Sequence, residues 1–197
     1  MPCRVVSLKP VTSLELPRHN VGKRNMFINF SLILKNTMTI ASFLIPACVV
    51  LTALIGSKFT ASGMKWYEQI QKPTWTPSGR VIGTIWTVIF LLTAGSALLA
   101  WEATSGIDKL LIVGLYLTNL ILNLLWSYIF FREHQMSIAT IEAGALCLSV
   151  LAIMIAVWSS SVTAALFLLP YFLWTGFATY LTRRVWKLNT NWKWSSI

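Results

Sequence analysis

Charge is what this sequence has least of. Only 11% of its 197 residues are Asp, Glu, Lys or Arg, less than half the roughly 25% of an ordinary soluble domain. Acidic residues are the scarcer kind, six against sixteen basic ones. So few charges cannot cover a water-soluble fold whose residues are 56% hydrophobic, which excludes a cytosolic enzyme or a large extramembrane module. Cysteine is scarce too. Cys3 lies near the N-terminus while Cys48 and Cys147 fall inside apolar runs, so no disulfide is expected. Neither His19 nor His134 lies in an apolar run, no spacing suits zinc, and no Ser/His/Asp or Cys/His set is available. Metal binding and hydrolytic catalysis therefore find no support.

What is present in quantity is long uncharged sequence. Residues 36–57, 81–101 and 110–131 hold no charged side chain, giving runs of 22, 21 and 22. A membrane-spanning helix needs about 20 mostly apolar residues, so each run suits one crossing. The uncharged interval 143–182 is 40 residues long and is interrupted by Ser159-Ser160-Ser161, which makes it two crossings. The expected fold is an all-α integral membrane protein, a bundle of five transmembrane helices at about 37–57, 80–101, 110–131, 138–158 and 162–182. Residues 58–79 form a long connection holding Trp66, Tyr67, Lys72, Pro73, Trp75 and Pro77, a composition suited to a lid at the headgroup level. Residues 1–36 are expected as a basic tail, either disordered, preceding an alternative start, or a presequence. Residues 190–197 are a short C-terminal tail beyond a 37–189 membrane domain.

The formal net charge of +10 is placed at span ends and not interleaved with aromatics on a soluble face, so a lipid surface is the expected partner and nucleic acid is not. Five spans put the termini on opposite sides. Nine basic residues flank the C-terminal side, from Lys58 to Lys193, against four near the spans on the other side or seven with the distal tail. The positive-inside rule then places the 58–79 connection and the C-terminus in the cytosol.

Polar and aromatic side chains within the spans are the candidate site. Tyr116, Asn119, Asn123 and Trp126 are spaced i, i+3, i+7, i+10 and share one helical stripe. Two carboxamides cannot face lipid, so they either bond neighbouring helices or meet a ligand. Tyr171, Trp174, Ala178 and Leu181 repeat the spacing after Pro170, which should bend the last helix. Ala178 beside Trp174 leaves room for a planar guest, or the stripe is plain aromatic packing. Of ten tryptophans, Trp75, Trp101, Trp158, Trp186, Trp192 and Trp194 suit interfacial anchoring, whereas Trp86, Trp126 and Trp174 should lie deeper. Glu142, about one turn into the fourth helix, could pair with Arg132 or reach the headgroups.

Three segments together resemble the TspO/MBR family, that of the tryptophan-rich sensory protein, translocator protein or peripheral-type benzodiazepine receptor. They are Trp66-Tyr67 with Lys72-Pro73-Thr74-Trp75-Thr76-Pro77 and Ile85-Trp86; Leu122-Asn123 with Trp126-Ser127 and Phe130-Phe131; and Pro170-Tyr171 with Trp174, Phe177-Ala178, Leu181, Trp186 and Leu188-Asn189. Ser78, Asn119 and Tyr128 stand where a proline, a glutamine and a proline are common, which suggests a bacterial-type member in a bacterial-type cell membrane and not a mitochondrial outer membrane. Arg183 occupies the place of the tyrosine in the animal cholesterol motif, so cholesterol transport does not carry over. The resemblance implies a homodimeric five-helix membrane receptor or sensor. Its pocket would bind protoporphyrin IX and related planar apolar ligands, with a role in porphyrin handling or transport and in stress regulation. By position, Tyr67, Trp86, Asn123, Trp174 and Ala178 line that pocket; the stripes add Asn119, Trp126 and Tyr171. No cofactor is required, porphyrin being the ligand, and the lack of a suitably placed His or Cys favours the metal-free ring. The alternative is an enzyme that degrades porphyrin in light and oxygen, with Trp86 and Trp174 as a radical relay.

Overall fold

A computed structural model of the chain describes residues 21–190, with side-chain surroundings from residue 40 onward. Residues up to 38 and those from 39 on form separate units. The first contributes the opening turns of helix α1, and everything below concerns the second. The helices are α1 (Val21–Gln69), α2 (Gly79–Ala103), α3 (Gly106–Ser127), a π-turn (Tyr128–Arg132), α4 (Met136–Trp158), α5 (Val162–Phe167) and α6 (Leu169–Leu188). Five stretches are long and apolar enough to cross a membrane: Ile40–Gln69, Gly79–Ala103, Gly106–Arg132, Met136–Trp158 and Val162–Leu188. Away from their ends their outward faces are uncharged, with Leu91, Ile141 and Leu148 among the most exposed large side chains, as lipid contact requires.

Two boundaries differ from the uncharged-run expectation. Helix α1 does not stop at residue 57 but continues to Gln69, so the 58–79 lid is a helical extension followed by a short loop over residues 70–78. Charge marks where hydrocarbon ends, not where helix ends. Residues 58–69 contain no proline, and the first breaker is Pro73. At the other end, residues 21–36, expected as tail, are already helical, again because nothing between Lys23 and Lys35 breaks a helix. Residues 1–20 and the tail from 191, with Trp192 and Trp194, lie outside the described residues.

Local chemistry sets the remaining joints. Ser78 caps α2 by accepting from the Val81 amide, and Ser161 caps α5 by accepting from the Ala164 amide at 3.2 Å. Gly106 takes φ +58 in the tight turn from α2 to α3, a conformation that favours glycine. In the π-turn the Glu133 amide bonds the Tyr128 carbonyl five residues back at 3.1 Å. That extra residue re-aims the helix end, and Phe130 and Phe131 are both buried as a result.

The bend expected at Pro170 is a break at Leu168, dividing the fifth span into α5 and α6. Pro170 lies in the first turn of α6, where a missing N–H costs no helical bond. The Leu168 amide bonds the Ala165 carbonyl at 3.1 Å, which leaves the Ala164 carbonyl without its helical donor. Ser96 of α2 supplies one, its Oγ lying 2.6 Å from that carbonyl. Since the serine has a single proton and spends it there, the Tyr116 hydroxyl, also 2.6 Å away, is the donor to Ser96. One buried hydroxyl thus ties α2 to α3 and α5.

Candidate ligand-binding site

The interior is organised by the helix-3 stripe. Tyr116, Asn119 and Asn123 are all buried, Trp126 is half-buried, and the four face the bundle as their spacing requires. Asn119 Nδ2 donates to Ser149 Oγ of α4 at 2.8 Å, and Asn123 Nδ2 donates to the Tyr171 hydroxyl of α6 at 3.1 Å. Both carboxamides therefore bond neighbouring helices, each to a different one. Tyr171 is buried, and Trp86 of α2 meets its ring edge-on at 6.0 Å.

A small cleft enclosing about 10 Å³ lies among α2, α3, α4 and α6, lined by Trp86, Trp126, Ala143, Leu146, Thr175 and Ala178. Of the eight expected site residues, Trp86, Trp126 and Ala178 line it directly. Asn119, Asn123 and Tyr171 form the polar network described above. Trp174 is half-buried one residue before Thr175 and tilts against Phe177 at 5.3 Å. Tyr67 sits at the end of α1 and not in a loop, its ring against Phe131 at 5.7 Å and Phe130 at 6.1 Å. Lys72 folds over it, with Nζ 4.4 Å from the ring centre and 2.6 Å from the Tyr67 carbonyl oxygen that accepts from it.

Three lining residues were not among the expected site residues: Ala143, Leu146 and Thr175. Ala143 and Leu146 lie on the buried stripe of α4 with Ala139 and Val150, a 3.6-residue pattern hidden because α4 is apolar all round. Thr175 lies one turn beyond Tyr171 and returns its hydroxyl to the Tyr171 carbonyl at 2.9 Å.

Several polar atoms at this centre have no partner. The indole nitrogens of Trp126 and Trp174 are buried without an acceptor, and both Glu142 oxygens are buried without a donor. Of the two alternatives for Glu142, the pair with Arg132 does not form: Arg132 is exposed at the end of the π-turn, whereas Glu142 is only 7% exposed and both its oxygens lack a partner. Among the described residues no group of three His, Cys, Asp or Glu could hold a metal ion, and Cys48 and Cys147 are free.

The 70–78 loop packs on the C-terminal part of α6. Asn189, at the end of α6, pairs with the backbone of Gln71 in both directions, accepting from its amide at 3.1 Å and donating to its carbonyl at 2.9 Å. Trp75 stacks on Tyr180 of α6 at 5.7 Å and meets Phe177 edge-on at 5.9 Å. The loop is thus fixed to α6 by one amide latch and one aromatic clasp.

The model of the TspO/MBR family matches residues 43–187. The chain belongs to this family. It is 33% identical over 146 residues to the Translocator protein of Homo sapiens, covering 73% of this chain and 86% of that protein. To the Tryptophan-rich protein TspO of Bacillus cereus it is 35% identical over 124 residues, 63% of this chain and 80% of that one. A Bacillus subtilis membrane protein, YtaB, is 33% identical over 137 residues, covering 66% and 88%. In this TspO/MBR member the three sequence segments carrying the resemblance converge: the loop, the end of α3 with its π-turn, and α6 enclose one end of the bundle.

Proposed function

We propose that this multi-pass membrane protein binds tetrapyrroles, protoporphyrin IX foremost, and related planar apolar ligands in the chamber between α2, α3, α4 and α6. The observation that carries the reading is the wall chemistry. Trp86 and Trp126 present aromatic surface beside the small side chains of Ala143 and Ala178, while two indole N–H groups lack acceptors. Flat aromatic walls favour an aromatic guest, and the propionate oxygens of a porphyrin supply acceptors for indole donors.

Size constrains the mechanism. The enclosed space between the walls is about 10 Å³, room for about one water molecule, so a macrocycle enters only as the walls move apart. Parting the Asn189–Gln71 latch and the Trp75 clasp would free the 70–78 loop from α6 without disrupting a helix. The protein acts as a receptor or sensor, with porphyrin handling or transport and stress regulation as its setting. It works as a homodimer, in a bacterial-type cell membrane, with the C-terminus and the 70–78 loop on the cytosolic side.

The test is tryptophan-quenching titration of detergent-solubilised protein with protoporphyrin IX in the dark. Saturable binding is expected, weakened about tenfold or more by Ala178→Phe, which fills the chamber, and unchanged by Leu173→Ala on the exposed face of α6. Non-saturating partition, equal in all three proteins, would overturn the reading.

A further inference from the structure

Glu142 is the one acidic side chain buried in the described residues; Glu68, Glu102, Asp108 and Glu133 are all exposed. It sits on α4 within a membrane span, 7% exposed, with both carboxyl oxygens lacking a hydrogen-bond partner. Burying a carboxyl without partners costs several kcal/mol, and membrane proteins retain such groups where a counterpart exists. No described Lys or Arg can be that counterpart, because every one is exposed or only half-buried at the ends of spans.

The surroundings indicate what the counterpart is. Leu146, one turn along the same face of α4, lines the chamber, as does the adjacent Ala143. Trp86 and Trp126 form the aromatic walls of that chamber. An inorganic cation seeks several oxygen ligands, and here a single carboxyl stands on the α4 turn whose neighbours Ala143 and Leu146 line a chamber of indoles and small or aliphatic side chains. An organic cation suits the combination, since its charge is stabilised by aromatic faces and by a single carboxylate together.

Resting on the reading that this chamber takes a planar aromatic guest, we propose that Glu142 forms a subsite for a protonated nitrogen, so that aromatic cations are preferred over neutral rings of the same shape. The preference is set against the protein's own charge of +10, and so cannot come from its overall field. Protonated nitrogen heterocycles and aryl amines are the ligand class, with the ring between the indoles and the N–H directed at α4.

The experiment titrates the full chain in a neutral detergent with 9-aminoacridine, a planar cation, and with anthracene-9-methanol, a neutral ring of similar size. Protoporphyrin IX is run in parallel. Wild type should bind the cation about tenfold or more tighter than the neutral probe. Glu142→Gln should abolish that preference while keeping affinity for the neutral probe, which also reports that the variant is folded; Glu142→Asp should retain it. Equal affinity of wild type for the two probes, or an undiminished preference in Glu142→Gln, would overturn the proposal. A Glu142-dependent preference without saturable protoporphyrin binding would uphold the cation subsite and overturn the porphyrin reading. Saturable protoporphyrin binding with no cation preference would do the reverse.

Discussion

Two hydroxyls one turn apart on α2 should respond oppositely to removal, because the fold uses one and strands the other. Ser96 is fully buried and holds both the Ala164 carbonyl, released by the break at Leu168, and the Tyr116 hydroxyl, each at 2.6 Å. Thr93 is 2% exposed and its Oγ1 has no partner. In Ser96→Ala the carbonyl and the phenol both lose their partner. Leaving a buried polar group unsatisfied costs about 1–3 kcal/mol. Side-chain hydrogen bonds measured between membrane helices average about 0.6 kcal/mol and reach about 1.7. Taking the membrane values for two groups gives an expected loss of about 1–3 kcal/mol. Thr93→Val keeps the shape and removes an unpaired hydroxyl, so its effect should lie within about 0.5 kcal/mol of zero or be stabilising. The assay is SDS-induced unfolding of the purified protein in mixed micelles, followed by far-UV circular dichroism. Equal destabilisation by the two substitutions, or none by Ser96→Ala, would refute the assignment of Ser96 as the donor that repairs the broken fifth span.

Three further outcomes follow from the joints of the bundle. Gly63→Ala should abolish a monodisperse folded protein in size-exclusion chromatography, because a Cβ there meets the Phe131 carbonyl oxygen, with the carbonyl carbon at 2.8 Å, whereas Gly83→Ala, facing open space, should not. Asn189→Ala should speed hydrogen exchange at Gln71 and proteolysis within 70–78 while lowering global stability by no more than about 1.5 kcal/mol per lost bond. His134, stacked on Trp66 at 4.2 Å, is held below the ordinary histidine pKa by burial. Its folded value lies below an unfolded value of about 6.5, so the stability it contributes is complete above that pH and is lost as pH falls through the folded value. The melting temperature should therefore drop between pH 7.5 and pH 5, more in wild type than in His134→Phe; an equal drop in both would exclude this histidine as the cause.

Much of the architecture was legible because a bilayer imposes a length and a polarity on sequence. Intervals between charges marked five crossings, since charged side chains are excluded from hydrocarbon and each crossing has a fixed thickness. The stripe Tyr116, Asn119, Asn123 and Trp126 could be placed facing inward for the same reason, as amides cannot face lipid. Neither rule says where a helix stops once it leaves hydrocarbon, and so α1 runs twelve residues past the expected end and carries Tyr67 with it.

The sequence by itself determined the number of spans, the membrane setting, the family and which aromatic and amide side chains gather inside. Only the tertiary structure decided what those side chains do. Asn119 and Asn123 were equally suited to a ligand or to a neighbouring helix, and the choice depended on Ser149 and Tyr171, residues 30 and 48 positions away. The π-turn that buries Phe130 and Phe131 rests on shifted backbone bonds, invisible to side-chain periodicity. Glu142 could be located on a helix by counting. That its carboxyl is buried with no partner is a property of every helix packed around it, because satisfaction of a polar group depends on distances that sequence spacing does not contain.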